Sequence, residues 1–115
     1  MTEDFSDLTT IIALIPGFEP LRGKLDDYFE KVSDSMLLPL DQLISTRLRE
    51  KGVRNAFRLM EKAARGETPK RAPLTVASRT DGKWDIVDGN STVAVARASG
   101  WSSIPCREDR SFTHE

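Results

Sequence analysis

The sequence changes period at Gly89. Before it, Trp84 to Val87 reads as a strand; after it, Val93, Ala94, Val95, Ala96 and Ala98 read as a short helix that Gly100 closes. Upstream, Leu74 to Ala77 reads as a second strand, and Asp81-Gly82 supplies the tight turn that joins the two into a β-hairpin. Ser103-Ile104-Pro105-Cys106 reads as a final strand. A strand that enters a helix through one glycine leaves the N–H groups of Asn90, Ser91, Thr92 and Val93 without intrahelical partners. The helix dipole adds about half a positive charge at that end, so the position suits an anion. Gly89 lets a ligand approach the backbone, and the Ser91 and Thr92 hydroxyls add donors. The same residues also read as an ordinary helix start, with Gly89 making the turn and Asn90 capping the helix for about 1 kcal/mol. Glycines are too few for a Walker or Rossmann fingerprint.

The rest of the chain is helical in pattern. Leu8, Ile11, Ile12 and Ile15 share a helical face that Pro16-Gly17 stops, and Pro20 suits the first turn of a second helix. Leu21, Leu25, Tyr28, Phe29 and Val32 form the apolar stripe of that second helix, which ends at Ser33-Asp34-Ser35. Met36 to Ile44 is apolar but carries Pro39, which fits a short edge strand or an extended entry to the next element. Ser45 or Thr46 can cap the helix that follows. There, Val53, Ala56, Phe57, Met60, Ala63 and Ala64 lie on one face, Arg54, Arg58, Lys62 and Arg65 lie on another, and Gly66 is the stop. These elements predict an α+β fold, divided into an acidic N-terminal helical arm (1–35), a core domain (36–107) and a flexible C-terminal tail (108–115). A chain of 115 residues has room for one such domain and not for a large multidomain enzyme.

Charge is balanced overall, at 17 basic against 18 acidic residues, but not along the chain. Residues 1–46 carry nine acidic and three basic residues, residues 47–71 three acidic and nine basic, and residues 72–115 six acidic and five basic. The basic stripe reads as a solvated face, as the partner of the acidic arm, or as a surface for DNA. Only one cysteine, Cys106, and one histidine, His114 beside the C-terminus, are present, which argues against disulfides, zinc sites and His-based catalytic pairs. Cys106 reads as a buried, inert thiol, and Trp84 and Trp101 read as core. The longest apolar run, Ile11 to Ile15, is too short to span a bilayer, so no membrane partner and a cytoplasmic location are expected.

Three stretches carry a resemblance: Pro73 to Val76, Asp81 to Asn90, and Ala94 to Trp101 with Ile104-Pro105 after it. Together they resemble the ParB/sulfiredoxin (ParB-like nuclease) superfamily domain, whose members run strand, Asp-Gly turn, strand, Gly-x-His-Arg, helix, Gly-hydrophobic and an Ile-Pro strand. Leu38 to Leu43 resembles the opening strand of that domain, and the helix closing at Gly66 resembles its first helix. The resemblance covers residues 36–107, with 73–106 its specific part. It implies a small mixed sheet with helices, a bacterial or phage origin, and a nucleoside triphosphate bound at the helix N-terminus. Relatives use that site for ATP or CTP, and some transfer phosphoryl groups or cleave nucleic acid.

The motif here is degenerate. Ser91-Thr92 stands where the superfamily has His-Arg, and Asn90 stands where sulfiredoxins have their reactive cysteine, which excludes sulfiredoxin chemistry. Loss of an arginine fork and an imidazole removes the charge-assisted bonds that dominate phosphate affinity. By position, the resemblance brings in Thr46, Arg47 and Arg49 as further phosphate contacts. Asp85 and Asp88 are candidates for holding Mg²⁺, and Asp88 is equally suited to bonding the turn. The expected function is binding of a nucleotide or nucleic-acid phosphate at Gly89-Asn90-Ser91-Thr92, with phosphoryl transfer or phosphodiester hydrolysis as the reaction class of any enzyme. The alternatives are a non-catalytic interaction module whose arm docks on a protein partner or a second copy, and a DNA-associated regulator using the basic stripe.

Overall fold

A computed structural model describes residues 8–45 and 48–109. Its elements in chain order are α1 (Leu8–Ala13), α2 (Leu25–Tyr28), β1 (Met36–Pro39), a 3-10 turn (Leu40–Gln42), β2 (Leu43–Ile44), α3 (Glu50–Ala64), β3 (Leu74–Ser78), β4 (Trp84–Asp88), α4 (Asn90–Ala98) and β5 (Ser103–Glu108). The strands form one mixed sheet in the order β1-β5-β3-β4-β2. The hairpin is as predicted, with β3 antiparallel to β4 and Gly82 in the turn at φ +84°. After α4 the chain returns as β5, which runs parallel to β3, opposing Leu74 with Cys106, and antiparallel to β1, opposing Leu37 with Pro105. Pro39, which cannot donate to a ladder, sits on the edge strand β1. The fold is α+β.

The core forms where helix and strand periodicities meet. Val53, Phe57 and Met60 of α3, Val93, Val95 and Ala96 of α4, and Val76, Ile86, Ile104 and Cys106 of the sheet are buried in one cluster. The N-terminal segment belongs to the same cluster through Ile11, Ile15, Leu21, Tyr28 and Phe29. Its path is fixed by polar contacts as well: the Leu21 N–H donates to Ser99 Oγ (3.0 Å), and the Trp101 indole N–H donates to the Leu21 carbonyl (2.8 Å). Trp101 also stacks near Tyr28 and Phe29, with ring centroids 5.4 and 6.2 Å away. Among the described residues no helix is long and apolar enough to cross a membrane.

Four details differ from the sequence expectation. The second N-terminal helix is a single turn, α2, because the chain turns extended at Phe29 (φ −121°, ψ 146°). There its backbone bonds to a distant segment: Arg71 N–H donates to the Tyr28 carbonyl and Glu30 N–H to the Arg71 carbonyl, both at 2.8 Å. The apolar stripe is still used, but it is read by a bent chain. Met36 to Ile44 is broken by the 3-10 turn into two strands at opposite edges of the sheet. The first residue of α3 is Glu50, preceded by Arg49 with no side-chain cap; the Ser45 hydroxyl accepts from Arg97 instead, and Thr46 lies outside the described residues. At α4 the cap position is Gly89, not Asn90, which is already helical. His114 and the tail from residue 110 also lie outside the described residues.

Candidate phosphate site

Gly89 is required twice over. Its φ of +113° is a conformation that L side chains rarely adopt, and a Cβ there would lie 2.3 Å from Leu74 Cδ2. The turn it makes aims the start of α4 outward. The intrahelical ladder begins with Val93 N–H donating to the Gly89 carbonyl at 3.0 Å, so the N–H groups of Ser91 and Thr92 precede it. The first turns of α3 face the same place. A cavity of about 360 Å³ is lined by Arg49, Lys51, Gly52, Asn55, Asn90 and Ser91. An adjoining cavity, also about 360 Å³, shares Gly52, Asn55, Asn90 and Ser91 and extends past Leu59, Arg71 and Asp88. The two form one groove between the N-terminal turns of both helices. Gly52 sets its width: a Cβ there would lie 2.6 Å from Ser91 Oγ, so α3 rides close against the start of α4.

Three cations, Arg49, Lys51 and Arg71, line this groove against one carboxylate, Asp88. Glu50, in the first turn of α3, is paired with Arg54 one turn on, which neutralises it beside the groove. Two helix dipoles direct their positive ends into the same space. Leu59 and Val87, two of the exposed large apolar side chains, line the end farther from Arg49. The groove therefore suits an anion with an apolar body attached.

Of the residues singled out from sequence, the structure brings Gly89, Asn90, Ser91, Thr92, Arg49 and Asp88 together. Thr92 is 2% exposed and forms part of the groove floor. Thr46 and Arg47 lie outside the described residues. Asp85 does not line the groove; it accepts from Arg79 at 2.8 Å on the hairpin, so the two candidate magnesium ligands are not brought together. Arg79 also bonds Asp81, and these pairings hold the Asp81 carboxyl below its usual range and push the Arg79 guanidinium up. Among the described residues there is no cluster of three His, Cys, Asp or Glu side chains.

The basic stripe lies on another face of α3 from the one that lines the groove. Arg54 pairs with Glu50 and Arg65 with Glu67; the Arg65–Glu67 hydrogen bond lowers the Glu67 carboxyl and raises Arg65. Arg58 and Lys62 are exposed. Carboxylates of the N-terminal segment pair elsewhere, Asp26 with Lys31 and Asp34 with Arg107, so among the described residues no ion pair joins the stripe to that segment. Cys106 is fully buried, and burial pushes its thiol up to about 12.

Sequence reasoning missed Lys51, Asn55 and Arg71. A signal for Asn55 was present. Gly52 inside a helical pattern costs about 1 kcal/mol relative to alanine, which points to a close approach. Gly52, Asn55, Ala56 and Leu59 recur at i, i+3, i+4 and i+7 as a face distinct from the basic stripe. Arg71 is brought in by the bridge to Phe29, which no local pattern announces.

No protein-family profile and no curated protein sequence matches the chain. Solved structures do. A free serine kinase (E30A mutant) in complex with ADP superposes with a TM-score of 0.56 at 22% identity, over 79% of this chain and 37% of that one. C-terminally truncated SbnI from Staphylococcus aureus superposes with a TM-score of 0.54 at 18% identity, over 71% of this chain and 31% of that one. The fold is ParB/sulfiredoxin-like. A weaker likeness, TM-score 0.45 at 20% identity over 65% of this chain and 43% of that one, is to C-terminally truncated ParB from Caulobacter crescentus complexed with CTP-γ-S. The chain thus spans about a third of the length of the first two proteins it matches. Within the ParB/sulfiredoxin-like fold, the groove lies where the strand–glycine–helix crossing opens beside the first long helix.

Proposed function

We propose that the groove binds the phosphates of a nucleotide, with Gly89-Asn90-Ser91-Thr92 acting as a degenerate counterpart of the Gly-x-His-Arg motif. The observation that carries this reading is the convergence of the α3 and α4 N-terminal turns, with Arg49 and Lys51, on one groove. Ser91 donates through backbone and hydroxyl, Thr92 through its backbone, and the two lysine and arginine side chains supply the charge that Ser91-Thr92 lacks relative to His-Arg. The ADP held by the serine kinase of the same fold supports a nucleoside phosphate as the ligand class. Asp88 fits a shared Mg²⁺, an ion that takes one or two carboxylates together with phosphate and water oxygens. That ion would supply charge neutralisation across the phosphates. Any transfer chemistry would be phosphoryl transfer or phosphodiester hydrolysis.

The test is titration calorimetry and thermal shift with ATP, ADP, CTP and GTP, with and without Mg²⁺. A ligand present at 100 times its Kd raises stability by about 2.7 kcal/mol, a clear shift in melting for a domain of this size. The double variant Ser91→Ala/Arg49→Glu is expected to weaken binding by about a hundredfold or more. No shift with any of the four nucleotides at millimolar concentration rejects the reading. Affinity for duplex DNA that falls steeply with salt, without nucleotide binding, assigns the groove to nucleic-acid phosphate instead.

A further inference from the structure

We propose that Arg71 is the guanidinium that grips phosphate in this groove, in place of the missing His-Arg pair, and that the N-terminal segment holds it there. This rests on the phosphate reading of the groove. Arg71 is half-buried and lines the same cavity as the Gly89–Thr92 turn. To no described residue does its guanidinium make a hydrogen bond or an ion pair; Arg22, Arg49 and Arg58 share that state but are exposed, whereas Arg54, Arg65, Arg79, Arg97 and Arg107 all have partners. An arginine kept partly out of water with its fork unused is oriented for a ligand that presents paired oxygens.

Its position is over-determined by backbone. On one side, the Arg71 N–H donates to the Tyr28 carbonyl and the Arg71 carbonyl accepts from Glu30 N–H, both at 2.8 Å. Tyr28 and Phe29, between those contacts, are 3% and 2% exposed and anchor the segment in the core. On the other side, the chain from Arg71 runs into Leu74, whose side chain packs onto Gly89. Arg71 is therefore tied at once to the N-terminal segment and to the phosphate turn. Its backbone makes the structural hydrogen bonds and its side chain makes no described hydrogen bond or ion pair, so truncating the side chain is expected to leave the fold intact.

The experiment uses the full chain, with ADP and inorganic pyrophosphate as probes. Arg71→Ala is expected to melt within about a degree of the wild type, since it removes no described hydrogen bond or ion pair, and to bind both probes about ten- to a hundredfold more weakly. Arg71→Lys, which keeps the charge and loses the fork, is expected to fall between. Hydrogen exchange at the Arg71 and Glu30 amides is expected to slow on ligand binding. If Arg71→Ala binds as the wild type does while Arg49→Glu loses affinity, the Arg71 inference is overturned and the groove stands. If the wild type binds neither probe, the groove reading falls with it. A variant that loses affinity only because it melts much lower overturns the inference as well, because its side chain would then be structural. Unchanged exchange at both amides on binding overturns the role given to the N-terminal segment.

Discussion

The two ends of α4 are opposites. At its C-terminal end every feature is answered by protein. Arg97 donates to the carbonyls of Leu43 (2.7 Å) and Leu40 (3.1 Å) and to Ser45 Oγ (3.1 Å), and burial lowers its guanidinium from the usual range. Ser99 and Trp101 hold Leu21, and Trp101 N–H returns to the Ala96 carbonyl at 3.1 Å. At the N-terminal end, a glycine in a conformation that L side chains rarely adopt opens the helix onto a groove edged by cations. One element thus serves as a fastener at one end and, in the function proposed above, as a receptor at the other. Polar groups at the first end are bonded within the protein, whereas Arg49, Lys51 and Arg71 at the second face a groove.

Variants at the two ends separate these roles. Gly89→Ala should have the largest effect, because it adds backbone strain of about 1–3 kcal/mol and a Cβ clash with Leu74 that costs a similar amount. Chemical denaturation should show a loss of roughly 3–4 kcal/mol, and ligand binding should fall even in the folded fraction. A loss below about 1 kcal/mol would mean that the turn relaxes freely and that the receptor end is not rigid. Next comes Arg97→Ala, which leaves main-chain carbonyls and a serine hydroxyl without their donor, for about 2–3 kcal/mol. Nucleotide affinity, measured where the variant is folded, should not change; if it falls as far as for a groove variant, the two ends are coupled and the contrast breaks. Smallest is Trp101→Phe, which keeps most of the ring packing but deletes the bond to Leu21, for about 1 kcal/mol seen as a lower melting temperature with the groove unaffected.

Local pattern carried the part of the fold that local forces decide. The hairpin was legible because Asp81-Gly82 is a turn in any context, and Gly82 does adopt a positive φ. Both long helices were legible from their apolar faces, which bury Val53, Phe57 and Met60 in one case and Val93, Val95 and Ala96 in the other. The extended chain after Tyr28 was not, because its stripe suits a helix and its backbone bonds go to Arg71, far along the sequence. The site divides the same way. Asn90 and Ser91 could be placed from the glycine before them. Arg71 could not, since only the bridge to Phe29 puts it beside Gly89, and the face of Gly52 and Asn55 was masked by the louder arginine stripe on the same helix.

The clasp on Leu21 has one more consequence. Both of its contacts are made to the main chain, N–H to Ser99 and carbonyl to Trp101, so the path of the N-terminal segment is written in the loop after α4 and not at position 21. Any residue there that keeps its N–H and fits the core can be held the same way. The exposed positions of that segment can then change in charge while the groove at the other end of α4 keeps its shape.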